Sequence, residues 1–62
     1  MIRYQHETWR DVVERIAKKR FMEQECTTAY DREIRVIKKL KKREPTNDEM
    51  ANAAWEALYE WD

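Results

Sequence analysis

Apolar residues recur at helical spacing along three segments of the chain, and the first segment follows Thr8. Intervals of three and four residues place apolar side chains on one face of an α-helix. The apolar set here is Trp9, Val12, Val13, Ile16, Ala17 and Phe21. A threonine with an acid three positions later is a common helix start, which Thr8 and Asp11 provide. The pattern predicts a first helix over residues 8–24.

The second segment carries a heptad seam, apolar except for one acid in its middle, with alternating intervals of four and three residues. The seam consists of Cys26, Tyr30, Glu33, Ile37 and Leu40, with Ile34 beside it. Thr28 with Asp31 predicts the start of this helix. Pro45 predicts its end, because proline disfavours helical geometry at the preceding residue. The second helix is therefore predicted over residues 29–43.

The junction between these two helices has a weak sequence signal. Residues 25–28 contain neither glycine nor proline, and only the β-branched Thr27 and Thr28 disfavour continuation of the helix. Two versions of the fold stay open on this basis: two separate helices, or one long helix over residues 8–43.

The third segment is predicted as a helix over residues 47–61, started by Thr46 with Glu49. Its core face is predicted to be Met50, Ala54, Ala57, Leu58 and Trp61. The helix is apolar nearly all round, although a bundle of this size offers it only two neighbouring helices. Trp55 and Tyr59 are therefore expected to project beside the core face.

Composition limits the chain to one small helical domain, residues 1–62. The 62 residues include no glycine and one proline, which favours helix. So small a chain buries a small core. We predict an all-α fold, either a three-helix bundle or a helical hairpin, completed by oligomerisation or by a partner.

The charges balance overall but are separated along the chain. There are 13 basic and 13 acidic residues. Residues 26–43 carry seven basic and two acidic side chains, whereas residues 44–62 carry six acids and no lysine or arginine. Antiparallel packing of the second and third helices would place these opposite charges side by side.

The chain has few of the residues that support catalysis or metal binding. One histidine and one cysteine cannot form a metal site, a disulfide or a nucleophile–base pair within the chain. We therefore predict no enzyme activity, no cofactor and no metal. No apolar run has the length of a membrane span or signal sequence, so a cytoplasmic location without membrane contact is expected.

Two groups of side chains are candidates for binding. The first is on the third helix, where aromatic anchors adjoin acids, and comprises Trp55, Tyr59, Glu56 and Glu60. This group predicts a protein–protein contact, with a second copy of the chain or with another protein. The second is a basic run that could replace counterions along a phosphate backbone. It comprises Arg35, Lys38, Lys39, Lys41, Lys42 and Arg43. Binding of nucleic acid is the alternative, although cations at a helix end also have a capping role.

The turn at residues 43–46, Arg-Glu-Pro-Thr, is followed by an Ala-rich helix with Met50 near its start. This stretch of about 20 residues resembles a segment of short helical proteins of unknown function encoded by phages and prophages. The resemblance implies a phage accessory protein that acts by binding. The expected function is inhibition of a host or defence protein by occupancy, within the host cytoplasm.

Overall fold

Three helices account for most of the chain in the computed structural model, which describes residues 2–59. They are α1 (Trp9–Lys19), α2 (Glu23–Lys41) and α3 (Asn47–Tyr59). Each helix packs against the other two, and residues 2–59 contain no strand. The predicted all-α fold is confirmed in its three-helix form.

Two hydrogen bonds at opposite ends of the bundle define the direction of the helices. Near the start of α1, Trp9 Nε1 donates to Asn47 Oδ1 at 2.9 Å. Just after the end of α1, Arg20 Nη1 donates to the carbonyl oxygen of Leu58 at 2.9 Å. The starts of α1 and α3 therefore lie together, as do their ends. These two helices run parallel, and α2 runs antiparallel to both.

Helices α1 and α3 begin at the residues that the sequence predicts. The Thr8 hydroxyl accepts from the Asp11 amide, and the Asp11 carboxylate accepts from the Thr8 amide, both at 3.1 Å. Thr46 and Glu49 make the same reciprocal pair, with distances of 2.8 and 3.2 Å. Such pairs satisfy amide groups that have no partner within the first helical turn.

The predicted boundary between the first two helices is wrong. Helix α2 starts at Glu23 rather than at residue 29, so Thr28 and Asp31 lie inside it. Helix α1 ends at Lys19 rather than at residue 24, and residues 20–22 form the turn. The alternative of one long helix over residues 8–43 is also wrong. The helix start signal at Thr28 has no effect because α2 already continues through that position.

A hydrogen-bonded turn ends α1 without glycine. The Met22 amide donates to the Ala17 carbonyl at 2.9 Å, and the Phe21 amide donates to the Lys18 carbonyl at 3.2 Å. This Schellman arrangement requires a residue in the left-handed backbone conformation directly after the helix C-cap. Phe21 occupies that position with a φ of 57°. Met22 then packs against the core. The positive φ of Phe21 is unfavourable for a residue with a Cβ atom. It is stabilised by the packing of Met22 and by the hydrogen bonds to the last carbonyls of α1.

Replacement of Phe21 by glycine is expected to stabilise the fold by about 1 kcal/mol, because glycine adopts positive φ without a Cβ clash. The Phe21 side chain is 95% exposed, so its removal sacrifices almost no packing. The measurement is chemical denaturation in dilute solution. Arg35→Gly, at an exposed site inside α2, is the control, and its free energy of unfolding should fall by about 1 kcal/mol. An equal fall in the free energy of unfolding of both variants would contradict backbone strain at Phe21.

The core is built largely from small side chains. Its buried residues are Val12, Val13, Ala17, Cys26, Tyr30, Ala53, Ala54, Ala57 and Leu58. Alanine at the contacts lets helices approach closely, so a small volume of side chains fills the space between them. Phe21, predicted on the buried face of α1, is not part of this core, because the helix has ended before it.

The last turns of α2 extend beyond α1. Helix α2 has 19 residues and α1 has 11, a difference of about 12 Å at 1.5 Å per residue. Cys26 and Tyr30 of the predicted seam are buried, and Ile34 and Ile37 are half-buried. Leu40 is 76% exposed, so its predicted place in the buried seam is wrong. The apolar spacing continues past the point where a neighbouring helix covers it.

Candidate protein-interaction surface

The outward side of α3 carries a pair of aromatic rings in contact. Ala53, Ala54, Ala57 and Leu58 face the core, and Trp55 and Tyr59 project from the opposite side. The ring centroids of Trp55 and Tyr59 are 4.6 Å apart with an interplanar angle of 48°. Their exposed fractions are 48% and 38%. One turn of helix separates the two residues, which places their side chains next to each other.

Arg20 supports this aromatic pair from the turn after α1. Its guanidinium carbon lies 4.7 Å from the centroid of the Tyr59 ring. The same guanidinium donates to the Leu58 carbonyl, which is near the end of α3 where carbonyls have no partner within the helix. The hydrogen bond to Leu58 fixes the guanidinium, and the cation–π contact then restricts the Tyr59 ring. Sequence reasoning missed Arg20, because its position relative to α3 depends on the parallel packing of α1 and α3.

The acids predicted for this surface are only partly described. Glu56 is exposed on α3 and follows Trp55 directly in the sequence. Glu60 and the predicted core residue Trp61 lie outside the described residues. We define the α3 surface as Trp55, Glu56 and Tyr59 with Arg20. It combines aromatic area held in a fixed orientation with a carboxylate and a guanidinium at its edge.

Part of the predicted basic run is engaged within the molecule. Lys38 lies 3.4 Å from a carboxylate oxygen of Glu44. Lys41 and Arg43 both reach Glu49, at 2.5 and 2.7 Å. Within residues 2–59, Arg35, Lys39 and Lys42 make no ion pair. The structure thus divides the six exposed cations into three that bind carboxylates at the α2–α3 turn and three that form no ion pair within residues 2–59.

Glu49 has two roles at that turn. Its carboxylate accepts from the Thr46 amide, which caps α3, and binds the side chains of Arg43 and Lys41. The hydrogen bond from Arg43, followed by those from Lys41 and Thr46, holds the pKa of Glu49 well below its ordinary value. Glu49 therefore remains charged and joins the basic end of α2 to the acidic start of α3. The expectation that these helices place opposite charges side by side is met here.

The remaining reactive side chains are dispersed or buried. Cys26 is buried in the core, and burial raises the pKa of its thiol. His6 is exposed before α1. Among residues 2–59, no three His, Cys, Asp or Glu side chains are close enough together to hold a metal ion. The same residues include no helix with the length and apolar character needed to cross a membrane.

Comparison with known proteins gives no match to a family model, a curated protein or a solved structure. The geometry of the α3 surface and the distribution of exposed charge are therefore the basis for a functional proposal.

Proposed function

We propose that the protein is a non-enzymatic interaction module that inhibits a host or defence protein by occupying its surface. The observation that carries this proposal is the Trp55–Tyr59 pair, half-exposed and held in one orientation. Tryptophan and tyrosine supply large contact areas with few rotatable bonds, and they are enriched among residues that dominate binding energy. The phage-type resemblance of residues 43–59 and action in the host cytoplasm are parts of the same proposal.

Preorganisation supports the α3 surface as a binding site. A side chain that is already restricted loses less conformational entropy when a partner binds. Both Arg20 and Trp55 contact the Tyr59 ring and restrict its movement. An aromatic pair fixed in this way suits insertion into a shallow apolar depression on a partner.

Charge indicates the type of surface that the partner presents. Glu56 lies on α3 at the edge of the aromatic pair, and Asp48 is exposed in the first turn of the same helix. Within residues 44–59 there is no lysine or arginine. Opposite charge steers association and excludes wrong partners. A partner with basic residues around an apolar depression is therefore the best complement, as in a protein whose own ligand is nucleic acid.

Binding of nucleic acid is the rival function, and the exposed cations Arg35, Lys39 and Lys42 favour it. The other three cations of the basic run are engaged by Glu44 and Glu49, whose charges repel a phosphate backbone. Basic residues on this helix also lack an aromatic side chain among them for base stacking. We therefore favour the protein partner.

A capture experiment separates the two functions. Tagged protein is incubated with nuclease-treated host lysate, and in parallel with duplex DNA over a series of salt concentrations. We expect a protein to be retained after nuclease treatment, and its retention to be unaffected when Arg35, Lys39 and Lys42 are changed to glutamine. DNA binding that falls steeply with salt and disappears in this triple variant would instead establish the rival.

A further inference from the structure

The outward face of α2 has a depression along its first half that the α3 surface does not use. A groove of about 420 Å³ is lined by Gln24, Glu25, Thr28, Ala29 and Arg32. A second groove, of about 500 Å³, shares Gln24 and Glu25 with the first and is bordered by Phe21. The two grooves adjoin at Gln24 and Glu25 and extend from the turn before α2 to its middle. We call this pair of grooves the α2 channel.

The second half of the same helix carries protruding apolar side chains. Val36 and Leu40 follow Arg32 at successive intervals of four residues, so they continue the face of the α2 channel. Val36 is 43% exposed, and Leu40 is much more exposed because α1 does not extend that far. One face of α2 therefore presents a depression in its first half and two apolar projections in its second half.

Charge on this face is divided in the same way. Glu25 lies in the first turn of α2, and Lys39 and Lys42 lie at its end. Within residues 2–59 none of these three side chains forms an ion pair. A surface that is complementary to this face needs projections and cations opposite the first half, and a depression and acids opposite the second half.

The same face, turned end for end, has this complementary pattern. We propose that a second copy of the chain docks against α2, with the two α2 helices antiparallel about a two-fold axis. Such an interface is isologous, because each surface patch meets its counterpart on the other copy. The proposal assigns self-association to α2, rather than to the third helix, and leaves the α3 surface available for a foreign partner.

The axis that fits the channel lies between Arg32 and Glu33. It places Val36 of the second copy level with Ala29, and Leu40 of the second copy level with Glu25, where Phe21 borders the channel. Lys39 of the second copy then comes beside Glu25. Arg32 lies level with Glu33 of the second copy, which offsets the approach of the two arginines near the axis.

Phe21 gains a role in this arrangement. Its conformation and its exposure both oppose local preferences, and such departures are concentrated at sites with a function. In the dimer the Phe21 ring borders the channel that receives Leu40 of the second copy. Phe21→Gly is therefore expected to weaken the dimer while it stabilises the isolated fold.

Sedimentation equilibrium tests the interface. A single helix pair buries an area near the lower limit of specific interfaces, so dimerisation in the micromolar range is expected. The wild-type mass should double from 7.7 kDa as concentration rises. Val36→Glu should keep its helical circular dichroism and remain monomeric. Glu25→Lys and Lys39→Glu should each raise the dimer Kd at least tenfold. The double variant should recover most of the lost affinity.

Cross-linking tests the antiparallel register. Ala29→Cys and Val36→Cys chains are mixed and oxidised with oxidised glutathione. The proposed axis places position 29 level with position 36 of the second copy, whereas like positions lie about 10 Å apart along the helix, too far for a disulfide. Disulfides between unlike chains should therefore predominate. Cys26 is buried and is retained in both chains.

Two outcomes would overturn the proposal. One is a wild-type chain that stays monomeric up to millimolar concentration. The other is a dimer that survives Val36→Glu or forms disulfides mainly between like chains. Trp55→Ala serves as the matched aromatic control and should leave dimerisation unchanged. Loss of the dimer in Trp55→Ala alone would place self-association on the α3 surface instead.

Discussion

Substitution of Tyr30 by alanine is expected to unfold the chain. Tyr30 is 5% exposed and belongs to the core cluster that joins the three helices. Truncation of a buried aromatic side chain costs about 3 to 5 kcal/mol, because transfer energy is lost and a cavity remains. A core in a chain this short rarely supplies more than about 3 to 5 kcal/mol in total. The loss is therefore comparable to the whole stability of the fold.

The measurement for Tyr30→Ala is far-ultraviolet circular dichroism during thermal and urea denaturation. Tyr30→Phe is the matched control, since it keeps the ring and removes only the hydroxyl, which makes no hydrogen bond to another described residue. We expect Tyr30→Phe to unfold cooperatively near the wild-type midpoint. A folded Tyr30→Ala chain with a similar midpoint would show that this cluster is not the main source of stability.

Removal of the aromatic pair on α3 is expected to abolish partner binding while the fold survives. Each of Trp55→Ala and Tyr59→Ala should cost about 1 to 4 kcal/mol of binding free energy, or about fivefold to a thousandfold in Kd. Both side chains are partly exposed, so their removal opens no cavity in the core. The measurement is retention of the captured partner, with circular dichroism as the check on folding.

Tyr4→Ala is the matched control for Tyr59→Ala. Tyr4 is also exposed, and the Arg15 guanidinium lies 4.7 Å from its ring centroid, the same distance that separates Arg20 from Tyr59. Both variants thus lose a tyrosine stacked under an arginine, but only one lies on the α3 surface. Equal effects of the two substitutions on partner binding would refute the proposed site.

The two largest predictions test separate properties of the molecule. Tyr30 reports on stability, and Trp55 with Tyr59 reports on recognition. If partner binding fell in every destabilised variant in proportion to its stability, the α3 surface would have no specific role. If binding fell only in variants of the α3 surface, recognition would be localised there.

Helix starts are the features that the sequence predicts best. The pairs Thr8 with Asp11 and Thr46 with Glu49 are contained within four residues each, so their geometry is fixed once the helix forms. Thr28 with Asp31 has the same pattern but does not start a helix, because α2 begins at Glu23 and already includes both residues. A local signal is therefore reliable only where no neighbouring segment already forms the helix.

The turn at Phe21 shows why the first boundary was misplaced. A left-handed residue at this position is usually glycine or asparagine, so phenylalanine gives no sign of a turn. The apolar periodicity also includes Phe21, which extends the predicted helix past its true end. The chain turns there because the turn places Met22 and α2 against the core. This stabilising packing exists only in the assembled bundle.

The sequence alone determined the helical class of this protein, the capped starts of α1 and α3, the turn before Pro45 and the outward aromatic pair on α3. Each of these depends on residues within a few positions of one another. Only the tertiary structure decided the exposure of Phe21 and Leu40, the contact of Arg20 with Tyr59, and the division of the cations. These features join positions far apart in the chain, and their energies depend on helix lengths and directions that packing sets.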